Sequence, residues 1–190
     1  FKGGTCLWKI YKSNRFSEDL DLELDKQIDF VTDLINYLEA WGLEVKIEKS
    51  RYTTTAMYLR LNLSSKALGS ERIAIEVLFK KPENVKREAF VSPYPDIPAF
   101  DVLVYDLNKI VYDKINAIMS REQPRDIYDL YFIIKYYNKK IRVPDIEKFK
   151  ERILAKRDKW ENLKFIVADK LPSFDSVTRV IFSNILTDSE

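Results

Sequence analysis

Apolar residues follow two different rhythms along this 190-residue chain, and the change of rhythm divides it. In the first half, short runs alternate polar and apolar side chains, the period of a strand with one buried face. Residues Glu18 to Glu23 alternate acidic and apolar, and strand-like runs follow at Leu43–Glu48, Thr53–Leu63 and Arg72–Phe79. Met57, Leu59, Leu61 and Leu63 alternate with Tyr58, Arg60 and Asn62. Ile73, Ile75, Val77 and Phe79 alternate with Arg72, Ala74, Glu76 and Leu78. Between the first two runs, Ile28, Val31, Leu34, Ile35 and Leu38 recur at helical spacing, with Gly42 as a C-terminal stop. Phe1 and the two glycines after Lys2 read as a strand end entering a turn, with Leu7 to Lys12 as a short helix behind it.

Beyond a loop marked by Pro93, Pro95 and Pro98, and a short apolar run at Val102–Tyr105, the rhythm becomes helical. Leu107, Ile110, Val111, Ile115, Ile118 and Met119 make one helix. Pro124 is placed to open a second, carrying Ile127, Leu130, Tyr131, Ile134 and Tyr137. Further helices follow Pro144 and lie around Val177–Leu186. The pattern predicts an α+β fold, with a mixed α/β core over residues 1–105 and a helical region over residues 106–190.

An apolar fraction of 46% is ordinary for a globular protein, and the formal net charge of +2 sets up no global field. The charge is uneven, however. From Lys139 to Lys170, eleven lysines and arginines face six acidic residues, a surplus of +5. That surplus suits either a solvated helix face or contact with an RNA backbone. Cys6 is the only cysteine, so no intrachain disulfide forms and a reducing cytoplasm is expected. No segment approaches the roughly 20 apolar residues of a membrane span. The chain begins at Phe1, inside what reads as a strand, so an upstream segment is expected. Histidine is absent, which excludes His-based acid–base and nucleophile systems and the common zinc sites. Catalysis would have to run on carboxylates, Lys, Arg, hydroxyls and a hard metal ion.

Such chemistry has a candidate seat near the start. Lys2-Gly3-Gly4-Thr5 offers a tight turn that suits close approach of backbone N–H groups to phosphate oxygens. Asp19 and Asp21 lie two residues apart on a strand and therefore share a face. Such a pair can hold Mg²⁺ against a triphosphate while a third carboxylate joins from a neighbouring strand. Glu76, on the face opposite Ile75 and Val77, is the third candidate or else an exposed strand glutamate. Lys2 either neutralises a phosphate beside the turn or is incidental. Lys114 and Arg121 stand seven apart on a helix face that could meet phosphates, while Arg125 and Asp129 can pair across one turn. The bland alternative for this group is an interhelical ion-pair network. Tyr128, Tyr131, Tyr136 and Tyr137 are packing residues or stack on a base.

Gly3-Gly4-Thr5 followed by Arg15-Phe16-Ser17-Glu18-Asp19-Leu20-Asp21-Leu22 resembles the opening motif of the AbiEii/AbiGii toxin family of nucleotidyltransferases, within the wider polymerase-β-like superfamily. A second block agrees: Asp113-Lys114-Ile115-Asn116-Ala117, Arg121, then Arg125-Asp126-Ile127-Tyr128-Asp129-Leu130-Tyr131. Trp160 and Leu171-Pro172-Ser173-Phe174 resemble the family's C-terminal helical region. The resemblance implies transfer of a nucleoside monophosphate from an NTP, with Mg²⁺, in a cleft between the two halves. It implies that Asp19, Asp21 and Glu76 bind metal, and that Gly3, Gly4 and Thr5 cradle phosphates. Lys114 would counter their charge and Asp126 would position that lysine. It further implies a toxin of a toxin–antitoxin pair, with a cognate antitoxin and an RNA acceptor such as tRNA. The same residues leave room for a small-molecule acceptor, or for a protein of this fold that binds nucleotide without turnover.

Overall fold

The computed structural model describes residues 1–67 and 69–186. The chain divides into two compact units: Phe1–Cys6 with Ser17–Val104, and Leu7–Phe16 with the chain from Tyr105 onward. The segment 7–16 thus leaves the sheet-bearing half of the sequence and joins the helical one.

The first unit is built on a four-stranded sheet in the order β1-β4-β3-β2, formed by β1 (Leu20–Leu24), β2 (Glu44–Tyr52), β3 (Ala56–Ser65) and β4 (Gly69–Phe79). β2, β3 and β4 run antiparallel to one another, and β1 lies parallel to β4. Period-two alternation sends Met57, Leu59, Leu61, Ile75 and Val77 to one face, where they form the buried core of this unit. Leu20, Leu22 and Leu24 of β1 pack on the same cluster. So do Phe30, Val31, Leu34 and Leu38, the last three from α2 (Val31–Ala40). Gly42 follows α2 with φ +79°, the left-handed geometry that stops a helix without steric cost. The strands are longer than the alternation predicts at β2 and β4. A second, two-stranded sheet of β5 (Val85–Phe90) and β6 (Phe100–Tyr105) completes the unit. β5 carries too many charges to announce itself by pattern.

β2 contains an irregularity that the alternation does not foretell. Its pairing with β3 shifts between Ile47 and Lys49, a β-bulge at Glu48. Before the bulge Val45 and Ile47 share the face of Leu63 and Leu61, with Val45 packed on the core and Ile47 exposed. After it Lys49 pairs with Arg60 and Arg51 with Tyr58, on the opposite face.

In the second unit α4 (Pro124–Tyr137) is the central element. Pro124 opens it, and it is buried from Asp126 through Ile134. α3 (Leu107–Ser120), α6 (Phe174–Phe182) and a 3₁₀ helix (Arg157–Phe165) contact it, and α5 (Ile146–Leu154) contacts α3. Three helices start on side-chain caps: Asp106 for α3, Asp145 for α5 and Ser173 for α6. Trp160 is buried on Phe174 at 5.4 Å between ring centroids, and its indole N–H donates to Pro172 O at 2.9 Å. Part of the basic stretch is neutralised at short range. Lys150 pairs with Glu147, Lys159 with Glu122 and Arg157 with Asp175. Lys156 is buried, donating to the Ile118 and Arg152 carbonyls that end α3 and α5. No helix among the described residues is long and apolar enough to cross a membrane.

Candidate active site

The face of the first sheet that turns away from the core carries the candidate carboxylates. Asp21 is the register partner of Glu76 across the parallel β1–β4 pair, so both carboxylates stand on that face. Asp19 lies just before β1. Lys2 pairs with Asp21 as an isolated antiparallel bridge, its N–H donating to Asp21 O at 2.9 Å, which lays the Gly-Gly segment beside β1. Lys2 Nζ donates to Glu23 at 2.9 Å, and Glu23 is buried, so this lysine is an internal partner of β1.

Gly3 explains why the motif opens on glycine. Its φ is +75°, and a Cβ added there would lie 1.8 Å from Asp21 Oδ2. Only a residue without a side chain lets the backbone rest against the Asp21 carboxylate. The glycines do not form a free turn: a helix, α1, runs over Gly3–Lys9, ahead of the Leu7–Lys12 span that its sequence suggests. Buried Cys6 and Leu7 outweigh the poor helix propensity of two glycines. The buried Thr5 hydroxyl lies 2.5 Å from Asp19 O and 3.2 Å from Ser17 O. It ties α1 to the segment carrying the first aspartate. Burial pushes the Cys6 thiol up to about 12, so it stays protonated and is no nucleophile.

These oxygen donors are of the hard kind that suits Mg²⁺ rather than a soft metal. Asp21 and Glu76 fit, being on one face in register. Among the described residues no three acidic or cysteine side chains form a ready-made metal cage. Mg²⁺ commonly takes one or two carboxylates and completes its shell with substrate phosphates, so the residues present fit that ion in company with a nucleotide.

The second sequence block forms a buried ion network in the helical unit. Lys114 Nζ sits 3.0 Å from Asp126 Oδ1 and 2.6 Å from Asp129 Oδ2. Arg121 holds Asp126 with two donors at 2.8 Å, and Arg15 holds Asp129 at 2.6 and 3.0 Å. Both aspartates are completely buried. Burial disfavours the ionised form of Asp129, but Lys114 and Arg15 outweigh it and bring its carboxyl down to about 2. Burial likewise opposes the Lys114 charge, and Asp129 and Asp126 outweigh it, raising its pKa. Asp126 is lowered against its own burial by Arg121 and Lys114.

Two sequence expectations change here. Asp129 spends its oxygens on Arg15 and Lys114, not on Arg125. Lys114 and Arg121 do not line one helix face, because α3 ends at Ser120 and Arg121 is extended; both converge on Asp126 instead. Of the four tyrosines, Tyr128 and Tyr131 are buried packing residues, while Tyr136 is exposed and lines a groove with Tyr11, Lys12 and Phe132. Arg15 is the network member that residue spacing missed. No periodicity signals it, because its partner Asp129 lies 114 residues away in the chain.

The chain is similar to known proteins along nearly its whole length. The model of the AbiEii nucleotidyl transferase toxin family, type IV toxin–antitoxin system, matches residues 1–189. The structure of JHP933 from Helicobacter pylori is similar, with a TM-score of 0.58 at 20% identity over 96% of this chain and 79% of that one. MenT4, a nucleotidyltransferase toxin of Mycobacterium tuberculosis, gives a TM-score of 0.63 at 17% identity over 97% and 73%. No curated protein matches significantly in sequence. These structural likenesses show a shared fold, and the match along nearly the whole chain shows that it belongs to the AbiEii family of nucleotidyltransferase toxins.

Proposed function

We propose that this protein moves a nucleoside monophosphate from an NTP to the hydroxyl of an RNA acceptor such as tRNA, acting in the cytoplasm and countered by an antitoxin. The observation that carries the reading is the placement of Asp21, lying against side-chain-free Gly3 and in register with Glu76. In the transfer, the acceptor oxygen forms a bond to the α-phosphorus, the bond to the β-phosphate oxygen breaks, and pyrophosphate leaves. Glu76 takes the acceptor proton, a carboxylate task in a chain without histidine. Asp21 and Glu76, with Asp19 just before β1, would hold the Mg²⁺ that travels with the nucleotide, and the ion would supply neutralisation of the developing phosphate charge. Gly3, Gly4 and Thr5 bring backbone close to the phosphates.

Lys114 counters the triphosphate charge and Asp126 positions it. The network itself argues for this role. Its three cations exceed its two carboxylates, and without Lys114 each aspartate would keep an arginine of its own. The lysine is therefore the cation that electrostatic balance does not require.

The test is label transfer. The protein is incubated with each α-³²P NTP, Mg²⁺ and total tRNA, with Asp21→Ala alongside. A labelled tRNA band from the wild type alone supports the reading. Equal labelling by Asp21→Ala overturns the site, and label on protein or small molecules but never on RNA overturns the acceptor.

A further inference from the structure

The bulge in β2 places a second set of residues beside the carboxylates. Read across the sheet in register, one row on the open face runs Asp21, Glu76, Tyr58, Arg51, from β1 to β2. The next row runs Ala74, Arg60, Lys49. Three strand spacings separate Asp21 from Arg51, about 14 Å. The face is thus acidic at the β1–β4 end and basic at the β3–β2 end.

Were β2 paired regularly through Glu48, Lys49 would take the parity of Ile47 and turn to the core side of the sheet. Re-aiming side chains is what bulges do. Here the bulge delivers two cations to the Tyr58 face. The Lys49 ammonium lies 5.5 Å and the Arg60 guanidinium 5.6 Å from the centre of the Tyr58 ring. Lys49, Arg51 and Arg60 are exposed, and none of them forms an ion pair with any described residue. This contrasts with Arg72 on the same sheet, which is spent on Glu48 at 2.8 Å. An open trough of about 360 Å³ lies over Lys49, Arg51, Tyr58 and Glu76. A half-buried aromatic ring among cations that have no carboxylate partner is the combination that binds single-stranded nucleic acid: the ring stacks a base of any identity and the cations take the phosphates.

We propose that this β2–β3 platform seats the acceptor: a single-stranded nucleic-acid 3′ end stacks a terminal base on Tyr58 and lays its phosphates on Lys49, Arg51 and Arg60, bringing its hydroxyl to Glu76. The assignment rests on the nucleotidyltransferase reading of the carboxylates. It divides labour across one face, with nucleotide and metal at the β1–β4 end and acceptor at the β3–β2 end. Base identity is not read by such a platform, so selection of an acceptor depends on a free single-stranded end.

The test measures binding without turnover, so that it stands apart from the transfer assay. A 5′-fluorescein-labelled 12-nucleotide single-stranded RNA with a free 3′ hydroxyl is titrated by anisotropy with wild type, Tyr58→Phe, Tyr58→Leu and the double variant R51E/R60E. NTP affinity is measured on the same samples, and thermal unfolding confirms that each is folded. Tyr58→Leu is expected to weaken RNA binding roughly tenfold and Tyr58→Phe to keep it, because stacking needs the ring and not the hydroxyl. R51E/R60E is expected to weaken binding further and flatten its salt dependence. NTP affinity is expected to stay unchanged throughout. RNA binding equal in all four proteins overturns the proposal, as does wild type that does not bind the oligonucleotide, which would leave the platform to a protein acceptor. Loss of NTP affinity on Tyr58→Leu also overturns it, because the ring would then serve the donor nucleotide. Failure of label transfer with these binding shifts intact would count against the catalytic reading and not against the platform.

Discussion

Carboxylates occur in two settings in this molecule, on an open sheet face and inside a helical unit, and the two are partnered differently. On the sheet of the first unit, Asp19 and Glu76 are accessible and make no ion pair with any described residue. In the helical unit Asp126 and Asp129 are completely buried, and each is shared between an arginine and Lys114. A carboxylate that is to receive a metal–nucleotide complex must be left without a protein cation. One that is to hold a lysine in the interior must be given several.

The contrast can be broken first at Asp129. Asp129→Ala leaves Arg15 and Lys114 with Asp126 as their nearest remaining carboxylate, and is expected to cost about 3–5 kcal/mol in urea unfolding. Lys114→Ala leaves two aspartates with two arginines, so it is expected to cost much less stability and to weaken NTP binding instead. Isothermal titration with NTP, beside the unfolding curves, separates the two effects.

Next is Gly3→Ala. Its Cβ would meet the Asp21 carboxylate at 1.8 Å, on a backbone that alanine adopts with strain. Displacing that carboxylate by about an ångström is expected to lower the transfer rate roughly 100-fold. A rate near wild type would show that Asp21 does not need the position in which the structure holds it.

Acid sharpens the comparison with a smaller effect. Asp129 has a lower pKa folded than unfolded, so its contribution is fully present above the ordinary carboxylate value and is lost as pH falls to about 2. Roughly 2 kcal/mol is expected to disappear over that interval, with Asp126 acting in the same direction. Lys114 has a raised pKa, so its contribution is present at neutral pH and is lost only as pH rises beyond the ordinary lysine range. Urea midpoints measured from pH 2 to 11 are expected to show a plateau with an acid shoulder, and Asp129→Asn is expected to lose that shoulder.

Thr5→Val is the smallest change. It removes the hydroxyl beside Asp19 O and Ser17 O, and is expected to cost about 1 kcal/mol in unfolding, with a modest fall in transfer.

What the sequence made legible follows from how local its cause was. Alternation in β3 and β4 placed Glu76 on the face away from Ile75 and Val77, and the register with β1 sets it beside Asp21. Pro124 marked the start of α4 because its effect is confined to one turn. The bulge at Glu48 escaped because a single extra residue leaves no compositional trace, although it reverses the facing of everything after it in β2. Arg15 escaped because its partner lies 114 residues away, beyond any periodicity. The early start of α1 escaped because Cys6 and Leu7, buried in the fold, decide it against two glycines. Period two and period 3.6 report what lies on a face; they do not report which distant charge comes to meet it.

The division of labour between the two carboxylate sets is tested most directly by measuring transfer rate and urea midpoint together for Asp21→Ala and Asp129→Asn. Asp21→Ala is expected to keep the wild-type midpoint and lose transfer, while Asp129→Asn is expected to lose stability by several kcal/mol. An Asp21→Ala protein that transfers at the wild-type rate, or that unfolds as readily as Asp129→Asn, would contradict it.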